Sequence, residues 1–145
     1  MNDAGTAAIA HVIQLAIAPV FLLSGIGAML AVLTNRLSRI VDRARRLEAG
    51  MSQMAADAAA RAHGELHALS RRARLVNAAI TLCTITALIV ASVIALLFLG
   101  AFLGRNVGMA IAWLFVTGMV SFVAGLLCFL REIFMATRFL RFGPE

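Results

Sequence analysis

Across three long stretches this sequence has no Asp, Glu, Lys or Arg: Ala4–Asn35, Leu75–Gly104 and Asn106–Leu130. Each exceeds the roughly 20 residues a helix needs to cross about 30 Å of hydrocarbon. With 62% hydrophobic residues the 145-residue chain is too apolar for a soluble domain, where roughly half is usual. These absences exclude a water-soluble globule and predict three membrane spans. Basic residues are also missing from the opening MNDAGTAAIA, and the apolar run there is longer than a secretory h-region of about 7–15 residues. The first span is therefore expected to stay in the mature protein. Lysine is absent, so all 13 basic residues are Arg. Arg binds phosphate bidentately, which makes anionic lipid head groups candidate partners, although GC-rich coding accounts for the same bias. Cys83 and Cys128 both fall inside spans and read as small packing residues, not as a disulfide or metal pair. No aromatic–basic platform accompanies the Arg, so a pI near 11.5 does not imply a nucleic-acid partner.

The charges that are present are lopsided. Between the first two spans lie Arg36, Arg39, Arg43, Arg45, Arg46, Arg61, Arg71, Arg72 and Arg74, and the C-terminal tail holds Arg131, Arg138 and Arg141. The N-terminal tail has none, and the second link has Arg105 alone. The positive-inside rule then puts the long loop and the C-terminus in the cytoplasm and the N-terminus outside. The expected architecture is all-α and occupies 1–145 as a single integral membrane domain. It is a three-span transmembrane bundle with spans of about 9–34, 76–103 and 107–130. A cytoplasmic helical hairpin over about 35–75 extends the first two spans, and a cytoplasmic tail covers 131–145.

The first span passes without a break into RLSRIVDRARRLE, five Arg within eleven residues, so one continuous helix is expected to leave the bilayer. Gln14 wants a polar partner in lipid, and Pro19 removes a backbone donor and bends the helix. The small cluster Ser24-Gly25-Ile26-Gly27-Ala28 should let another backbone come close. Beyond the span, Leu37, Ile40, Val41, Ala44 and Leu47 form an apolar stripe. A second stripe runs through Met54, Ala58, Ala62, Leu66, Leu69 and Ala73. Gly50 is expected to stop the first helix and Ser52 to cap the second. Packed antiparallel, the two hide both stripes. The alternative is a second stripe lying flat on the membrane.

His63 and His67 in HGELH stand four apart, but Gly64 takes the place of the Glu that zinc proteases carry, and no third ligand is visible. Neither a metal nor a cofactor site is expected. In span two Asn77, Thr81, Thr84, Leu88, Ala91 and Ala95 form a small, partly polar face. Leu82, Ile85, Ile89, Leu96 and Leu99 lie opposite and suit lipid. Gly100, Gly104 and Asn106 signal a tight turn into span three, where Thr117, Ser121, Ala124, Gly125, Cys128 and Glu132 share a face. Glu132, at the inner boundary, is costly unpaired. The ion-pair candidates there are Arg36, Arg39 and Arg43 with Glu132, and Asp42 with Arg39 or Arg46 along the helix.

The run HVIQLAIAPVFLLSGIGAMLAVLTNRLSRIVDRARRLE, the later SRRARLVNAAI and the ending FLREIFMATRFLR resemble domain of unknown function family 2721. The likeness covers His11 to Arg141. It rests most on Gln14 with Pro19, on R-L-S-R-I-V-D-R, and on Arg131 with Glu132. The resemblance implies a small bacterial multi-pass inner-membrane protein and carries no activity.

The small-residue faces on all three spans point to a non-enzymatic protein that assembles with itself or with another membrane protein. The alternative is a homo-oligomeric ion channel or small-solute transporter with a pore lined by Asn77, Thr81 and Thr84, or by Thr117 and Ser121. No charge lies mid-span to mark an ion path, which weighs against a pore. An enzyme is not expected, because Ser24, Ser121, His11, His63 and His67 show no spacing that couples them.

Overall fold

The computed structural model describes residues 3–104 and 106–140. Arg105 and Arg141, counted in the charge asymmetry, lie outside the described residues, as does the side chain of Arg138. Three helices follow in order: α1 (Asp3–Met51), α2 (Ala56–Leu103) and α3 (Gly108–Leu140), with no strand among the described residues. All three are long and apolar enough to cross a membrane. At about 1.5 Å per residue, α1 and α2 are each more than twice as long as about 30 Å of hydrocarbon requires.

The continuity of α1 has a local cause. Nothing between Leu33 and Arg36 breaks a helix, and the hydroxyls there turn back onto their own backbone. Thr34 donates to the Ala31 carbonyl at 3.1 Å and Ser38 to that of Asn35 at 2.9 Å. Pro19 is buried inside the same helix, which runs on through it. The Leu15 carbonyl loses its amide donor there, a loss that membrane helices tolerate.

The first turn falls later than the glycine signal suggested. α1 continues through Gly50 to Met51, and residues 52–55 reverse the chain with Gln53 N–H donating to Gly50 O and Met54 N–H to Met51 O. Ser52 lies in this turn and does not cap α2. Ala55 occupies the position before α2 instead and has no side-chain oxygen to cap with; its carbonyl accepts from Ala59 N–H at 2.9 Å, the first backbone bond of the helix. Gly50 keeps a negative φ, so the stop does not depend on glycine there. The second turn does use one: Gly104 has φ of 60° after the last residue of α2, a conformation that costs an L side chain dearly. Asn106 Oδ1 then accepts from Gly108 N–H at 3.2 Å, holding the start of α3.

Contacts divide the chain into two compact units, each drawing on all three helices. One holds α1 through Leu30 with Leu82–Val123; the other holds Ala31–Thr81 with α3 from Ala124 on. In the first unit the buried residues include Val12, Ala16 and Ile26 of α1 and Cys83, Thr86, Val90 and Val93 of α2. Phe21, Phe102, Met109 and Trp113 of this unit are two-thirds or more exposed, a surface suited to hydrocarbon and costly in water. In the second unit Leu33, Ile40, Ala62, Leu69, Val76, Ala79 and Glu132 are buried.

These buried positions follow a seven-residue repeat. In α1 they include Val12, Pro19, Ile26, Leu33 and Ile40; in α2, Ala62, Leu69, Val76, Cys83 and Val90, with Ala79, Thr86 and Val93 each three residues after the last three of these; in α3, Gly118, Gly125 and Glu132. A strict repeat of seven is the signature of helices packed knobs-into-holes.

Candidate functional site

The most constrained polar group lies in the second unit. Glu132 is wholly buried, and a carboxylate in that position survives only with a cation and hydrogen bonds around it. Arg72 of α2 supplies them. Its Nε and Nη2 both donate to Glu132 Oε1, at 3.1 and 2.8 Å. Arg36 of α1 approaches from the other side, with Nε 3.5 Å from Oε2. That contact is an ion pair without a hydrogen bond, and Oε2 has no hydrogen-bond partner. The Arg36 guanidinium also lies over the Phe129 ring, 5.3 Å from its centroid, where the ring face attracts the cation. One carboxylate of α3 thus holds a guanidinium from each of the other two helices.

Arg36, Arg39 and Arg43 were the partners expected for Glu132, and the structure brings only Arg36 to it. Arg43 instead pairs with Glu65 of α2 at 2.7 Å, on an exposed surface. Arg39 and Asp42 are exposed and line a shallow cavity with Arg43 and Arg46. Arg72 was missed. Its signal was its spacing, three after Leu69 and four before Val76, which puts it on the inward seam, whereas Arg71 and Arg74 fall off it.

A second polar contact lies in the first unit. Ser121 of α3 donates to the Leu82 carbonyl of α2 at 3.1 Å, and Thr86 donates to the same carbonyl at 2.8 Å from within α2. Close by, a Cβ built on Gly118 would lie 3.1 Å from Ile89 Cγ2. Gly118 is therefore where α2 and α3 need the absence of a side chain. The expectation at Gly25 and Gly27 is corrected: nothing lies within 4 Å of a Cβ at either.

The remaining candidates face outward. Gln14, Asn77, Thr81, Thr84 and Thr117 are exposed, as are Leu88, Ala91 and Ala95 on the same α2 face. Thr81 and Thr117 donate to carbonyls four residues back, Asn77 O and Trp113 O. The face expected to meet lipid is divided: Ile85 and Leu99 are exposed, while Leu82, Ile89 and Leu96 are half-buried. His63 and His67 line a groove with Ile40, Glu48 and Leu66. No group of three or more His, Cys, Asp or Glu able to hold a metal occurs among the described residues.

The family described as "Protein of unknown function (DUF2721)" matches residues 16–142. The chain belongs to this family. The match takes in α1 from Ala16 on, α2, α3 and both polar contacts, Arg36–Glu132–Arg72 and Ser121–Leu82; Gln14 lies outside it. DUF2721 membership carries no activity to transfer, and no curated protein and no solved structure matches the chain.

Proposed function

We propose that the chain is a non-enzymatic protein of the bacterial inner membrane that works by assembling with itself or with another membrane protein through small-residue helix faces. Its N-terminus would lie outside and its Arg-rich helix ends in the cytoplasm. The outward position of Asn77, Thr81, Thr84, Ala91 and Ala95 on α2 carries this reading. Exposed Ser24, Gly25, Gly27 and Ala28 on α1, with open space at both glycines, agree with it. In lipid, small residues let helix backbones approach, and amides such as Asn77 and Gln14 gain from a partner across the interface. The orientation draws its support from the Arg distribution. The non-enzymatic reading draws on Ser121, whose hydroxyl proton is committed to the Leu82 carbonyl.

Oxidative crosslinking in native membranes tests the assembly. In a Cys128→Ala background, Ala91→Cys is expected to give disulfide-linked dimers, while Val120→Cys on the exposed side of α3 gives few. Strictly monomeric Ala91→Cys and Ala95→Cys proteins would rule out self-assembly through this face.

A further inference from the structure

The structure leaves a group of arginines that neither the Glu132 contact nor the assembly faces use. Arg71 and Arg74 of α2 and Arg131 of α3 line one open cavity of about 510 Å³, together with His67, Leu75 and Met135. No carboxylate lines it. The side chains of Arg71, Arg74 and Arg131 make no hydrogen bond or ion pair among the described residues. The neighbouring acid, Glu132, is turned to Arg72 and Arg36. The three arginines are exposed around one hollow, which makes it positive, and each guanidinium offers the planar donor fork that fits phosphate oxygens.

The position of the cavity along the chain narrows the choice of anion. Arg74 immediately precedes the charge-free run Leu75–Gly104, and Arg131 immediately follows the run Asn106–Leu130. If α2 and α3 span the membrane, both residues stand at the first charged position beyond the hydrocarbon. Lipid phosphates lie at that level, and basic pockets between membrane helices are suited to anionic head groups. Leu75 and Met135 add an apolar part to the lining, as an amphiphile needs. A soluble phosphate would have no use for it. We infer that the Arg71–Arg74–Arg131 cavity is a binding site for the phosphate head group of an anionic phospholipid. The inference rests on the membrane-spanning reading of α2 and α3 and is independent of self-assembly.

The test uses the full chain purified in a neutral detergent, with thermal unfolding followed while phosphatidylglycerol, phosphatidylcholine or inorganic phosphate is titrated in. Phosphatidylglycerol is expected to raise the melting temperature saturably. The Arg71→Gln/Arg74→Gln/Arg131→Gln variant should need about a hundredfold more lipid for the same rise, from three lost surface charges. An Arg45→Gln/Arg46→Gln variant, altered outside the cavity, should respond like the unmodified protein. An equal response in the triple variant would overturn the site. So would an equal loss in the Arg45/Arg46 variant, or equal stabilisation by phosphatidylcholine. Stabilisation by inorganic phosphate to the same extent would overturn the lipid assignment. Should the triple variant fail to fold, photoactivatable phosphatidylglycerol on the unmodified protein decides: adducts within 67–75 and 131–135 support the site, and adducts elsewhere refute it. A monomer by native mass in the same sample would count against self-assembly and leave this outcome intact.

Discussion

Arg72 and Glu132, separated by 60 residues in sequence, share a single oxygen. Both Nε and Nη2 of the arginine donate to Glu132 Oε1, leaving Oε2 with only the 3.5 Å ion pair to Arg36. The two cations are therefore unequal, although both face the same carboxylate.

That inequality should appear in stability. Arg72→Ala removes both hydrogen bonds to a buried carboxylate and is expected to destabilise by about 3 kcal/mol, the low end for a broken buried pair, because Arg72 is partly exposed and Arg36 remains. Arg36→Ala loses a longer contact and a ring contact, and should cost about 1 kcal/mol. Thermal unfolding in detergent followed by circular dichroism ranks the two. Equal losses would show that the hydrogen bonds carry no extra weight.

The double replacement Arg72→Leu/Glu132→Leu should recover most of what either single change loses, since buried ion pairs commonly yield to apolar residues of similar size without loss. A double-mutant cycle with a coupling near zero would contradict the pairing.

Gly118→Ala should destabilise by about 1 kcal/mol, since the new methyl meets Ile89 Cγ2 at 3.1 Å, and a β-branched side chain gives way poorly. Gly25→Ala and Gly27→Ala meet nothing within 4 Å, so they should leave folding in detergent unchanged or improved. The melting order of the three variants checks this.

Ser121→Ala removes the only side-chain donor that crosses from α3 to the Leu82 carbonyl among the described residues. The expected loss is about 0.6 kcal/mol, typical of interhelical hydrogen bonds in membranes. Thr86→Val keeps its volume and forfeits a bond mostly within its own helix, so it should cost less. A larger loss for Thr86→Val would show that its 3.4 Å approach to Gly118 O matters more than its geometry suggests.

The Arg43–Glu65 pair is short, at 2.7 Å, but exposed. Arg43→Ala should cost less than about 1 kcal/mol, and the difference should vanish at high salt. Persistence of the loss at 1 M salt would place the pair in a drier setting than its exposure indicates.

Much of the architecture is legible in the sequence. The charge-free windows became three helices; of the two apolar stripes beyond them, Ile40, Ala62 and Leu69 are buried, Met54 is exposed and the rest are half-buried. The turn at Gly104 came from a residue type that only one backbone conformation required. Ser52 misled because a serine after a glycine imitates a cap, while the helix simply ran one residue further. Face choice in α2 was not readable. Val76–Ala79–Cys83–Thr86–Val90–Val93 and Asn77–Thr81–Thr84–Leu88–Ala91–Ala95 advance by the same threes and fours, and both are small and partly polar.

What the sequence alone determined is the set of helices and their suitability for a membrane, because hydropathy and Arg position are properties of composition along the chain. Which faces turn inward, and which of many arginines meets Glu132, was decided only by the tertiary structure. The reason is physical: lipid is as apolar as a helix core, so hydropathy cannot tell an inward face from an outward one. The selection falls instead to close packing, as at Gly118 and Ile89, and to hydrogen bonds between residues far apart in the chain, as at Arg72 and Glu132.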